Sequence, residues 1–159
     1  MSSDGLTICL WFDGRAEEAA EFYASVFPDF RPGRTLRRPA SKQGPAGPVL
    51  TVEFELNGQR FVALDGGPEF TFNEAVSIQV DCADQAELDH YWERLTDGGQ
   101  PVACGWLKDR FGVSWQITPA ALTEWIADPD PEKASRTFGA MLEMVKLDVD
   151  ALRRAYEGG

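Results

Sequence analysis

Apolar residues recur along this chain in two rhythms. In LTICLWF (6–12) they alternate as in a strand with one buried face, and the following AEEAAEFYASVF places Ala16, Ala19, Ala20, Tyr23, Val26 and Phe27 on one side of a helix. VLTVEFELNGQRFVAL alternates on either side of Asn57-Gly58, a dipeptide that favours the positive φ angles of a tight hairpin, so two antiparallel strands are predicted there. AVSIQVDC predicts another strand, and Asp84 with Glu87 three residues later forms a capping box for a second helix. Leu88, Tyr91, Trp92 and Leu95 give that helix its apolar stripe. In GWLKDRFGVSWQITP (105–119) a last strand carries Gln116 on its polar side.

The pattern repeats. Laying Phe12-Asp13 on Val80-Asp81 brings Tyr23 onto Tyr91, so the strand-helix opening recurs in phase. Two related modules follow, about 6–66 and 75–119, each of one strand, one helix and about three strands. Neither closes a sheet alone, so residues 1–119 are expected to pair them around a shared cavity or core. Beyond Pro119 the signals are helical: Thr118-Pro119 and Asp130-Pro131 read as N-cap and first-turn pairs. Phe138, Met141, Leu142 and Val145 share a face, and Asp148 can cap a last short helix through Tyr156. This tail, 120–159, is expected to pack on the domain or to form a dimer contact.

Composition narrows the function. The 159 residues, 43% hydrophobic, contain no apolar run long enough to span a membrane, and the stretch MSSDGLTICLWF has no secretory pattern. Cys9, Cys82 and Cys104 form no CxxC pair and suit reduced thiols. The chain is therefore expected in the cytoplasm. A net charge of -11 argues against nucleic acid and membrane surfaces as partners. Arg31, Arg34, Arg37, Arg38 and Lys42 read as a solvated strand and loop.

Few residues offer chemistry. The one histidine, His90, lies off the apolar stripe of the second helix, so no Ser/His/Asp or Cys/His nucleophilic set assembles. Cys9 and Cys104 lack an evident cation to activate them, and Glu53 and Glu55 share the polar side of a hairpin. No catalytic residue is assigned.

The segments LWFDGRAEEAAEFYASVFPD, VEFELNGQRFVALDGGPEFTFNEAVS, CGWLKDRFGVSWQITP and DPDPEKASRTFGAMLEMVKLD resemble the PhnB-like family. That family carries the label 3-demethylubiquinone 3-methyltransferase and belongs to the glyoxalase/bleomycin resistance/dioxygenase, or vicinal oxygen chelate, superfamily. The resemblance implies an α+β fold, two βαβββ modules in a cupped, antiparallel-rich mixed sheet, usually in a homodimer. It also implies four metal-ligand positions on strands of the two modules, which fall here on Thr7, Ala63, Ala75 and Gln116. Of these only Gln116 has a side chain that commonly ligates, and it is neutral. No metal and no cofactor are expected.

Strand phase then sets the pocket. Ile8, Leu10 and Phe12, matched by Val76, Ile78 and Val80, should face the helices; Val113, Trp115 and Ile117 should pack likewise. Thr7, Cys9 and Trp11 from one module and Ala75, Ser77 and Gln79 from the other should face the pocket. Ser114, Gln116 and Thr118 should join them, with Trp106 nearby. Thr7, Cys9, Trp11, Ser77, Gln79, Trp106 and Gln116 are the candidate ligand-binding residues, suited to a compact organic ligand with a planar part. Two other functions stay open: a divalent-metal lyase, isomerase or dioxygenase of the superfamily, and a methyltransferase. Against the last, no GxGxG-type turn follows the first strand.

Overall fold

The computed structural model describes residues 5–40 and 47–159, so Lys42 and the start of the N-terminal stretch lie outside the described residues. The chain divides into two compact units, Met1–Phe72 and Asn73–Gly159. The first contains β1 (Thr7–Phe12), α1 (Ala16–Val26), β2 (Arg31–Arg37), β3 (Val49–Leu56) and β4 (Gln59–Asp65). Its sheet has the order β1-β4-β3-β2, with β1 parallel to β4 and the other pairs antiparallel. Asn57 (φ +47°) and Gly58 (φ +82°) turn β3 into β4, as the dipeptide predicts. α1 has no side-chain cap of its own; instead the Asp65 carboxylate at the end of β4 accepts from Ala16 N at 2.9 Å.

The helical face foreseen for α1 is buried at every position, from Ala16 to Phe27. It packs on β3 and β4, with the Tyr23 ring 5.9 Å from Phe54 and Phe54 stacked on Phe61 at 5.5 Å. Because β1 pairs Leu10 with Ala63, Ala63 shares this buried face and is fully covered. Ala63, which the resemblance offers as a metal-ligand position, therefore lies on the helix side, and Val62 and Leu64, opposite Cys9 and Trp11, occupy the open face.

The second unit repeats the order with β5 (Ser77–Cys82), α2 (Gln85–Thr96), β6 (Gln100–Pro101), β7 (Trp106–Lys108) and β8 (Ser114–Pro119). Its sheet runs β5-β8-β7-β6, with β5 parallel to β8. Asp84 accepts from Glu87 N at 2.9 Å, while the Glu87 carboxylate accepts from Ala83 N at 2.7 Å. Leu88, Tyr91, Trp92 and Leu95 are buried as the stripe predicts. Val76 departs from expectation. It lies before β5 and is 73% exposed, because the turn held by Ala75 N and the Asn73 side chain delays the strand.

Both units are thus βαβββ modules, and the fold class is α+β. Three helices follow in the second unit: α3 (Leu122–Ile126), α4 (Pro131–Leu142) and α5 (Val149–Glu157). Thr118-Pro119 does not start a helix as expected; parallel pairing with Asp81-Cys82 keeps both residues in β8, and α3 begins only at Leu122. Asp130 does cap α4, accepting from Glu132 N at 2.9 Å with Pro131 in the first turn, and Asp148 caps α5 through Ala151 N at 2.7 Å. The apolar face foreseen for α4 is only partly covered within the unit. Thr137 is the buried residue, whereas Phe138, Leu142 and Val145 are about half exposed. Arg136 ties α4 to α5 by donating to the carbonyls of Ala155 and Tyr156.

The tail is tied to the sheet side of its unit by backbone bonds from Cys104 N to Met144 O and from Gly105 N to Val145 O, each 2.8 Å. Gln85 on α2 adds two more, donating to Leu147 O and accepting from Val149 N. No helix among the described residues is long and apolar enough to cross a membrane.

Candidate functional site

Parallel pairing of β5 with β8 fixes which side chains share a face. Ser77 lies opposite Ser114, Gln79 opposite Gln116 and Asp81 opposite Thr118; on the antiparallel side Trp106 lies opposite Gln116. Opposed residues in a sheet point the same way, so these side chains form one surface, and Ile78, Val80, Trp115 and Ile117 form the other. Alternation of apolar and polar residues in SIQVDC and SWQITP produces that division directly.

This surface is the floor of a cavity of about 460 Å³. Gln79, Cys104, Trp106, Gln116 and Thr118 line the floor, and Leu122, Ile126 and Met141 from α3 and α4 supply an apolar wall. The volume suits a compact organic molecule. Gln116 donates from Nε2 to Ser77 Oγ at 2.9 Å. Asp81 accepts from Gln79 Nε2 at 2.7 Å and from the Thr118 hydroxyl at 3.3 Å. Ser114, opposite Ser77, is buried with its hydroxyl unpaired.

Of the residues the sequence puts forward, Gln79, Trp106 and Gln116 line this cavity and Ser77 joins them through Gln116. Thr7, Cys9 and Trp11 share the open face of β1 in the first unit. Thr7 borders a separate recess of about 610 Å³ there, where Arg31, Glu55 and Arg60 follow one another across three strands. Charged residues, among them the Arg34–Glu53 pair at 3.8 Å, line it together with Pro32, Phe54, Phe61 and Val62. Trp11 is already engaged, donating from its indole to Gly67 O at 2.8 Å and meeting the Phe70 edge. A Cβ on Gly66 would come within 2.3 Å of the Trp11 ring, so glycine is required beneath it. Cys9 is exposed.

Sequence reading missed Asp81 as an orienting group, although its position two residues after Gln79 on one strand face was a usable signal. The wall from α3 and α4 carried no such signal, since nothing local specifies where a helix docks. Asp109 lies in the turn between β7 and β8. It is buried, accepting from Phe111 N and Val113 N and, at 2.9 Å, from the Trp115 indole.

The four positions that the resemblance offers a metal are Thr7 at the start of β1, Ala63 on the covered face, Ala75 in the turn before β5, and Gln116 with its amide turned to Ser77. Among the described residues, no three or more His, Cys, Asp or Glu side chains come together as a metal site. His90 is exposed on α2 with its ring against Tyr91. Cys82, the last residue of β5, is buried, and burial first, then Glu87, Asp81 and Asp84, pushes its thiol up to about 12. Such a thiol is inert at neutral pH.

Residues 4–118 match the profile of a family described as 3-demethylubiquinone-9 3-methyltransferase. The chain belongs to that family. Within this 3-demethylubiquinone-9 3-methyltransferase family, a PhnB protein from Bacillus cereus is 34% identical with a TM-score of 0.64, over 72% of this chain and 99% of that one. Protein PA1353 from Pseudomonas aeruginosa, 20% identical with a TM-score of 0.62, covers 74% of this chain and 98% of its own. The fosfomycin resistance protein FosX from Listeria monocytogenes, 15% identical with a TM-score of 0.52 over 78% and 97%, shares the fold. These likenesses make the paired βαβββ modules those of the vicinal oxygen chelate fold. No curated protein sequence matches the chain. The family match ends at residue 118, so α3, α4 and the wall they give the cavity lie beyond it.

Proposed function

We propose that this protein binds a small organic molecule in the cavity between β5, β7, β8 and the helices α3 and α4, and that it does so without a metal. The observation that carries the reading is the cavity itself: a polar row of Gln79, Gln116 and Thr118 faces an apolar wall of Leu122, Ile126 and Met141, with Trp106 at its side. A few placed polar groups against apolar walls is the common form of a ligand site. The unpaired Ser114 hydroxyl beside this row adds support, since a buried polar group without a partner is rare and is often satisfied by a bound molecule or water.

The donors at the superfamily's metal positions do not fit a divalent ion. A threonine, two alanines and an amide bonded to serine provide no imidazole and no carboxylate. The chain is taken to work in the cytoplasm, where its three free thiols stay reduced, and as a homodimer.

Native mass spectrometry with elemental analysis of protein purified without chelator tests the reading. The expected result is ligand uptake with less than stoichiometric zinc, nickel, manganese or iron. A tightly held stoichiometric metal overturns it. Saturable binding of S-adenosylmethionine would favour the activity in the family's description instead.

A further inference from the structure

The hydrogen bonds at Asp81 give the cavity floor a direction, and the geometry points to a ligand whose polar edge donates hydrogen bonds rather than accepts them. The inference rests on the cavity being a ligand site and names the class of ligand it selects.

A carboxylate has only lone pairs to offer, so both groups bonded to Asp81 Oδ1 must be giving it protons. That settles the amide of Gln79: its nitrogen lies 2.7 Å from the carboxylate, and its carbonyl oxygen is the end left for the cavity. It settles Thr118 too. Its hydroxyl proton is directed to Asp81, which leaves oxygen lone pairs as the free part of that group. Gln116 follows the same sense, since its nitrogen is given to Ser77 and its carbonyl oxygen remains. Three neighbouring groups of the floor, from two strands, thus present acceptors to one space, and the Trp106 indole N–H is the donor among the lining side chains beside them.

Asp81 does not line the cavity, and its role is that of a positioning residue acting through Gln79 and Thr118. The wall opposite adds no polar demand beyond Thr123, because Leu122, Ile126, Ala127 and Met141 are apolar. The ligand class is therefore a compact planar or apolar body bearing N–H or O–H groups on one edge. Carboxylates and phosphates are disfavoured, since their oxygens would meet carbonyl oxygens with a carboxylate behind them.

Indole and benzofuran test this directly, being neutral and nearly the same shape while differing in one N–H against one ring oxygen. Titrations are followed by the side-chain amide signals of Gln79 and Gln116 and the indole signal of Trp106. The unaltered protein is expected to bind indole at least about fivefold tighter than benzofuran, the scale of one satisfied hydrogen bond. Asp81→Ala removes the acceptor that holds both donors, freeing Gln79 to turn its N–H and Thr118 its hydroxyl proton to the cavity, and should bring the two probes within about twofold. Thr118→Val should weaken indole alone.

Equal binding of both probes to the unaltered protein, or an indole preference untouched by Asp81→Ala, overturns the inference while leaving the cavity a ligand site. Binding of neither probe, with all three signals unmoved, removes the cavity reading and this inference together. Since Asp81 is exposed, the fold of the variant is checked by its unchanged backbone spectrum.

Discussion

Asp109 illustrates how much a single residue in a turn can carry. One oxygen holds the backbone of Phe111 and Val113, and the other holds the indole of Trp115, which is fully buried. Asp109→Asn keeps a carbonyl for the backbone but sets an N–H against the indole N–H, so one donor loses its partner. It should lower the unfolding free energy by about 2 kcal/mol, read as a shifted midpoint in urea. Cys82 makes a prediction about pH. Its thiol is raised in the fold from 9.0 to about 12, so its neutral form stabilises the fold fully below 9.0, and that contribution is lost as pH rises through about 12. The melting temperature should fall across this alkaline window, and less steeply in Cys82→Ala than in the parent.

At the scale of elements, the tail is held where Cys104 and Gly105 bond to Met144 and Val145. Gly105 has φ +80°, and a Cβ there would lie 2.8 Å from Ile117 O and 3.0 Å from Leu147. Gly105→Ala should therefore cost about 2 kcal/mol or more and speed hydrogen exchange at the Cys104 amide, whose acceptor is in the tail. Which elements were legible in the sequence follows from where their causes lie. Asn57-Gly58, the Asp84–Glu87 box, Asp130-Pro131 and the stripes of α1 and α2 are local signals, and each produced the element it predicts. Thr118-Pro119 misled because strand pairing with Asp81-Cys82 outweighs a local capping preference. The metal-ligand position that the resemblance offers at Ala63 falls on the helix side, since a shift of one residue exchanges the two faces of a strand. The polar floor of the cavity was visible by alternation. Its apolar wall was not, because helix docking is decided by distant contacts such as Arg136 with α5.

For the whole molecule, the exposed apolar residues bear on assembly. Phe138 and Leu142 stand one turn apart on α4, with Val145 just beyond, at 46%, 53% and 51% exposure. In the homodimer proposed above, this face is what a second copy would cover. Leu142→Asp should then shift the mass measured by light scattering from dimer to monomer at micromolar concentration, with the melting curve of the second unit little changed. A mass unaffected by the substitution removes α4 from the interface.

The cavity draws its two sides from different parts of the chain: the floor lies within the span matched by the family and the roof outside it. In the binding site proposed above, changes confined to Leu122, Ile126 or Met141 would reshape the cavity while the strands keep the same polar floor. Kinship through those strands is thus a poor guide to the shape of the space above them, and two proteins built on this floor under different roofs should be assayed as strangers.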